Sequence, residues 1–180
     1  MAHPNGPSGT QSPQGRRVLV ALVSGPIGDR IQDWRTLHDP EEAARIPPHA
    51  TLCYWVPGVE PKLLEQQVRH AFAGGVRVRL GAVRRFESEQ QTVYVETEDT
   101  GQLDQARKRL YDGRFVELGE LREWPWHVSC VRDSRGRDSK ALAAATAGLH
   151  LNEDWPVNTV ACLELRGERY CAVETWLLER

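Results

Sequence analysis

The sequence predicts an α+β fold built as two similar halves, with antiparallel sheets and helices packed outside them. Three observations lead there. Strand-like and helix-like stretches alternate along the chain, yet hairpins are frequent, because several strand pairs are joined by only a few polar or glycine-containing residues. No glycine-rich phosphate loop follows a strand, as it would in a parallel nucleotide-binding sheet. Finally, the stretch Pro47-Pro48-His49-Ala50-Thr51-Leu52-Cys53-Tyr54-Trp55 has an echo in Trp124-Pro125-Trp126-His127-Val128-Ser129-Cys130-Val131-Arg132. Each copy has a proline two residues before a histidine, a hydroxyl residue two after it, and an apolar, β-prone run beyond. The copies lie nearly half a chain apart, so each half-domain offers one His-x-Thr/Ser strand to a shared cleft.

The elements follow in order. Residues 16–23 are apolar and β-branched, which suits a buried first strand. Ile27, Ile31 and Trp34 recur at helical spacing and predict a helix to about Leu37. Asp39-Pro40-Glu41-Glu42 supplies a cap residue, proline at the first helical position and acids in the first turn, so a second, short helix starts there. Pro47-Pro48 ends it. A strand over 50–56 follows, then a helix opened by Pro61, striped by Leu64, Val68, Ala71 and Phe72 and stopped by Gly74-Gly75. Residues 76–85 alternate, with Val76, Val78, Leu80 and Ala82 on one face and Arg77 and Arg79 on the other; with the strand at 91–97 they form a hairpin through the 87–90 linker. Asp99-Thr100-Gly101-Gln102 resembles a capping box before a helix striped by Leu103, Ala106 and Leu110. After the second motif strand comes a polar loop at 134–137, an alanine-rich helix over 139–149, and two strands over 157–165 and 169–178. Gly167-Glu168 makes their hairpin turn, a register that sets Cys171 opposite Glu164 and away from Cys162.

At 180 residues, the chain is long enough to bury a core as one domain, expected over 16–180. Residues 1–15, rich in Pro, Gly, Ser and Gln, are expected to be a disordered tail and have no apolar run of a secretory signal. A net charge of −2 gives no global attraction to nucleic acid, so a basic site must be local. No apolar run approaches the length of a membrane span. Four cysteines without C-x-x-C or zinc-ligand spacing read as free thiols in a reducing cytoplasm. A monomer is the default expectation.

In a strand, residues two apart share a face. His49 and Thr51 therefore face one way, and Ala50, Leu52 and Tyr54 the other; His127 and Ser129 oppose Val128 and Cys130. The apolar sets go to the core, which leaves imidazoles and hydroxyls for the cleft. Histidine titrates near neutrality, so one imidazole can take a proton from water or an alcohol while the other gives one to a leaving oxygen. Thr51 and Ser129 can donate to the non-bridging oxygens of a phosphodiester held between them, and Arg132 can add a guanidinium fork. That chemistry needs no metal, and a zinc site lacks a third ligand at a recognisable spacing. A lone H-x-S/T is uninformative; two, each on a strand and each after a proline, carry the reading. Ser129 is not in a nucleophile elbow. His3, His38, His70 and His150 have no such context and read as solvated or structural. Arg77, Arg79, Arg84 and Arg85 are either the wet face of a strand or a patch that tracks RNA. Tyr94 and Trp55 either stack on a base or belong to the core, and Trp124 and Trp126 pack around the second motif.

On these motifs the sequence resembles the two-histidine phosphoesterase superfamily, the 2′-5′ RNA ligase-like or LigT-like proteins. Its signature is a pair of H-x-[ST]-x motifs half a domain apart. His49-Ala50-Thr51-Leu52 matches it. So does His127-Val128-Ser129-Cys130, with cysteine where leucine is frequent, and Arg132 stands where members often carry arginine. The resemblance runs from about Arg16 to the C-terminus. It implies a bilobal fold whose two antiparallel sheets form a central groove. It implies His49 and His127 as the catalytic pair, with Thr51 and Ser129 holding the phosphate; Arg132 joins them as a candidate phosphate contact, and the reading of the aromatic and basic residues adds Tyr94, Trp55 and Arg85 as candidate nucleotide contacts. It implies a metal-independent, cofactor-free phosphodiesterase acting on a 2′,3′-cyclic phosphate or 2′-5′ linkage at an RNA end or nucleotide, with reversible RNA ligation as a further family activity. Two rivals stand beside that reading: a non-catalytic binder of RNA ends or nucleotides, and a phosphodiesterase for a small cyclic nucleotide metabolite.

Overall fold

The computed structural model describes residues 15–86, 92–121, 124–132 and 147–178. The expected tail, apart from Gly15, lies outside these residues, as do the 87–90 linker, the 134–137 loop and most of the 139–149 helix, of which only 147–149 are described. The elements run β1 (Arg17–Leu22), α1 (Gly25–His38), α2 (Pro40–Arg45), β2 (His49–Cys53), α3 (Pro61–Ala71), β3 (Arg77–Arg85), β4 (Val93–Glu98), α4 (Gly101–Leu110), β5 (His127–Val131), β6 (Glu153–Pro156), β7 (Thr159–Arg166) and β8 (Arg169–Leu177).

Among the described residues, eight strands make two four-stranded antiparallel sheets, ordered β2-β1-β7-β8 and β5-β4-β3-β6. This is the bilobal α+β architecture expected, and the duplication is visible in how each motif strand is delivered. A strand, a helical segment and the motif strand follow one another as β1-α1-α2-β2 in the first lobe and β4-α4-β5 in the second. Each motif strand then pairs antiparallel with the strand that began its unit and becomes the edge of its sheet. β2 and β5 thus come side by side where the lobes meet.

One core lies behind both sheets. Leu19, Ala50 and Leu52 of the first lobe and Val95, Val128 and Cys130 of the second join the buried stripes of α3 and α4 in it. The predicted stripes hold: Leu64, Val68, Ala71 and Phe72 on α3, and Leu103, Ala106 and Leu110 on α4, are all buried. Gln67 is the polar exception, 0% exposed. Its amide donates to the carbonyls of Arg109 and Leu110 at 2.8 and 2.9 Å and to Asp112 Oδ1 at 3.0 Å. Its oxygen accepts from Phe115 N at 2.8 Å. The buried amide is therefore fully partnered and bolts α3 to the end of α4.

Four expectations need correction. Residues 153–156 form an unpredicted strand, β6, which pairs with β3. The chain then leaves one sheet for the other at Val157-Asn158, so the next strand starts at Thr159. Four residues, two acidic and one proline, carry no alternation to read. Ala82 is exposed, because an irregularity between Leu80 and Val83 breaks the period of β3. Thr100 does not close a capping box: its hydroxyl donates to Asp104 Oδ2 at 3.0 Å, and Gln102 Oε1 instead accepts from Arg77 N at 2.7 Å. Tyr54, expected in the core, is 42% exposed. The tail hairpin does follow its sequence: Cys171 stands opposite Glu164, and all four cysteines are free thiols.

Candidate active site

The two histidines sit at the first residues of β2 and β5, and both strands carry the same alternation of half-buried and buried positions. His49, Thr51, His127 and Ser129 are half-buried, while Ala50, Leu52, Val128 and Cys130 are buried. The side-chain faces predicted from period two are realised at these positions.

The prolines explain themselves in the structure. His49 Nδ1 lies 2.7 Å from the Pro47 carbonyl, and His127 Nδ1 lies 2.8 Å from the Pro125 carbonyl. A carbonyl only accepts, so Nδ1 carries the proton in both rings. Each neutral imidazole therefore keeps Nε2 as its acceptor nitrogen. Both arms that bear the prolines are held in place. Val23 N donates to the Pro48 carbonyl at 3.0 Å. On the second arm Trp126 Nε1 donates to Asp104 Oδ1 at 2.8 Å, and Thr97 Oγ1 donates to the Trp126 carbonyl at 2.8 Å. The Arg107 guanidinium lies over the Trp126 ring, 4.3 Å from its centroid, so Trp124-Pro125-Trp126 is clamped on α4.

The surroundings of the two imidazoles differ. Around His49 they are cationic. Burial holds its pKa down to about 4; the Pro47 hydrogen bond opposes this, and Arg35, His127 and Arg132 push in the same direction as burial. Although part of His49 remains accessible, its ring sits against the lobe junction. Arg35 of α1 is 1% exposed and reaches Gln32 Oε1 at 3.1 Å and the Glu42 carbonyl at 3.0 Å. His127 stands opposite Glu96 in the β4–β5 ladder, and Glu96 Oε2 accepts from Arg84 Nε at 2.6 Å. The rings of Phe86 and Tyr94 meet His127 edge-on at 5.0 and 5.7 Å and stack on each other at 4.0 Å.

A corner between helices ties the lobes together. Asp39, buried between α1 and α2, caps α2 through Oδ1 to Glu42 N at 3.4 Å. Its Oδ2 accepts from Arg132 N at 3.0 Å, 93 residues away. Arg132 NH1 lies 3.7 Å from Glu42 Oε1, with about half of its side chain exposed.

Of the remaining expected residues, Tyr94 is in the groove, opposite Ser129 and beside His127. The register puts Arg84, and not Arg85, opposite Tyr94; Arg85 pairs with Val93 and so lies on the other face. Trp55 is 45% exposed beyond the end of β2. Trp124 is drawn to the groove by Tyr54, whose ring meets it edge-on at 4.8 Å. A recess of about 360 Å³ runs from Tyr94 and Glu96 past Thr100 and Asp104 to Trp124 and Trp126. Sequence reasoning did not find Arg35, Asp39, Glu96 or Phe86. Only Asp39 carried a signal, as a cap. The other three have no periodic or motif signature.

A family model described as the 2′-5′ RNA ligase superfamily matches residues 23–169. Among solved structures, the fold is similar to E. coli LigT in apo form, with a TM-score of 0.60 and 18% identity over 92% of this chain and 98% of that one. It is similar to E. coli LigT complexed with 3′-AMP, with a TM-score of 0.58 and 18% identity over 92% and 99%. It is also similar to TT0787 of Thermus thermophilus, with a TM-score of 0.55 and 16% identity over 91% and 97%. No curated protein matches the chain by sequence.

Proposed function

The chain belongs to the 2′-5′ RNA ligase superfamily, and from that premise we propose that it is a metal-independent phosphodiesterase that opens 2′,3′-cyclic phosphates or 2′-linked phosphodiesters. One observation carries the reading: both imidazoles have Nδ1 committed to a proline carbonyl, so both offer Nε2 beside a hydroxyl two residues on.

The difference in surroundings supports a division of roles. His49, held to about 4, is neutral at neutral pH and serves as the base. An imidazole that acidic is a weak base. An anionic phosphodiester arriving beside it offsets the cations around it and raises its basicity toward the working range. His127, which has Glu96 opposite it in the ladder and aromatic rings at its edges, serves as the acid. His49 Nε2 takes the proton of the attacking water as its oxygen bonds to phosphorus. The bond from phosphorus to one ribose oxygen breaks, and that oxygen takes the proton from His127 Nε2. Thr51, Ser129 and Arg132 hold the non-bridging oxygens. Tyr94 and the recess beside it take the nucleoside, in line with the 3′-AMP bound by E. coli LigT.

A second reading, an enzyme for a small cyclic nucleotide in place of an RNA end, is favoured by the fate of the arginines. Arg79 donates to Asn152 Oδ1 at 2.7 Å and lies 3.7 Å from Asp154, Arg77 lies 3.7 Å from Asp154, and Arg84 is paired with Glu96. A stripe so neutralised attracts a polyanion weakly. Free thiols throughout suit a reducing compartment such as the cytoplasm. No helix among the described residues is long and apolar enough to cross a membrane.

The test is hydrolysis of a 2′,3′-cyclic mononucleotide and a cyclic-ended oligonucleotide in EDTA, at several salt concentrations. Wild type turns over at least one, and His49→Ala and His127→Ala each lose about 10²–10⁴-fold. Activity that EDTA removes and zinc restores, or that survives either substitution, sinks the mechanism. A steep loss with salt for the oligonucleotide alone favours RNA; equal rates favour the small nucleotide.

A further inference from the structure

The two motif strands share a feature that the sequence pattern does not display. In the first lobe Thr51 pairs with Val20 and Cys53 with Leu19, so the strand takes two steps while its partner takes one. In the second lobe Ser129 pairs with Tyr94 and Val131 with Val93, the same irregularity at the same place. Leu52 and Cys130 are the extra residues. A bulge of this kind reverses the parity of every side chain beyond it. The positions three and four residues after each histidine are therefore both buried: Leu52 with Cys53, and Cys130 with Val131. The position five residues after each histidine comes back to the groove. It is Arg132 in the second lobe and Tyr54 in the first.

Tyr54 has the contacts of a groove residue. Its phenol lies toward the Thr51 side chain and the Arg132 charge, and both favour its ionised form. Burial raises the phenol pKa above its ordinary value, so at neutral pH it keeps its proton and remains a donor. Its ring is oriented by the edge-on contact with Trp124 of the other lobe. An anionic oxygen set between the hydroxyls of Tyr54 and Thr51 is a strong acceptor for both.

We propose that the Tyr54 hydroxyl is a third hydroxyl donor to the scissile phosphate, the first lobe's counterpart of Arg132. The assignment rests on the reading of the groove as a phosphodiester site. One lobe then holds the phosphate with a neutral donor and the other with a cation. That division keeps a second full charge from the base, His49, which a cation at position 54 would suppress further.

Tyr54→Phe keeps the ring and its contact with Trp124 and removes only the oxygen. Two readouts on the full chain separate this proposal from the reading beneath it: inorganic phosphate binding by calorimetry, and kcat and KM for a 2′,3′-cyclic mononucleotide. Tyr54→Phe is expected to melt with wild type, to bind phosphate about tenfold more weakly and to lose about tenfold in kcat/KM, the scale of one hydrogen bond to a charged group. Unchanged phosphate affinity and kcat/KM in the variant overturn the role of Tyr54 and leave the phosphodiesterase standing. Phosphate binding that depends on Tyr54, in a wild type that turns nothing over, supports Tyr54 and sinks the enzyme. A wild type that neither binds phosphate nor hydrolyses the substrate overturns both.

Discussion

The first motif strand and the second are nearly the same object in different company. Both begin on a histidine whose Nδ1 is tied to the proline carbonyl two residues back. Both bulge at the same step and send the same positions inward. Around His49, however, stand a buried guanidinium and Arg132, while His127 has a carboxylate across the ladder and two aromatic rings at its edges. Duplication supplies the geometry twice. In the proposed mechanism the division into base and acid comes from neighbours on other elements, α1 on one side and β3 and β4 on the other.

The largest way to break that difference is to make the second lobe as cationic as the first. Glu96→Lys places a positive charge opposite His127, and kcat for a cyclic nucleotide is expected to fall about a hundredfold, within the range of one acid-base group. Steady-state kinetics on a variant that still melts cooperatively checks it. A smaller erasure removes the cation of the first lobe. In Arg35→Met the acidic limb of kcat/KM, set by a base near 4, moves to higher pH. It stops short of 6.5, because burial is the larger cause of the depression. The same variant takes one of its two donors from the Glu42 carbonyl, which keeps the Ile46 amide, so the cost in denaturant unfolding is about 1 kcal/mol.

Behind the groove the comparison should vanish. Gln67→Leu breaks the bolt between α3 and α4 and is expected to cost about 2–3 kcal/mol, since several buried backbone groups lose their partner, while the pH profile of catalysis stays where it was. A shifted profile would mean that the core and the asymmetry are coupled. Stability itself should fall in two steps on acidification. His49 is about 4 in the folded protein against 6.5 in the open chain, so the unfolded chain binds its proton first, and stability drops as pH falls from about 6.5 to 4. Asp112 is held to about 2 by Gln67, the Arg114 amide and His70, so a further small loss follows between its ordinary 3.8 and 2. Urea midpoints measured across this range test both steps. The smallest effect belongs to Arg85→Ala, expected within twofold of wild type in kcat/KM because its register puts it off the groove face.

The parts of this arrangement that repeat were legible in the sequence. His49, Thr51, His127 and Ser129 were singled out as candidates because a proline, a histidine and a hydroxyl recur at fixed offsets, Arg132 because it follows the second motif, and the stripes of α3 and α4 because burial there follows the helical period without interruption. What the pattern hid was whatever broke a period or acted from a distance. Tyr54 was assigned to the core by simple alternation, and one extra residue in the strand reverses that. β6 is too short and too charged to alternate. Arg35 and Glu96 are ordinary charged residues in their own elements and become special only through what the fold sets against them. Asp39 was seen as a helix cap, but its second oxygen goes to Arg132, a partner no local pattern names.

The half-exposure of both imidazoles has one more consequence. Under the proposed mechanism each hydrolysis would move a proton across the groove, leaving the first histidine charged and the second neutral, the inverse of the state that began it. The pair cannot fire again until that inversion relaxes. Had the rings been sealed into the core with Ala50 and Val128, the pair would carry a memory of its last event and wait on a slow opening to lose it. Open to water on one side, the pair forgets between one substrate and the next.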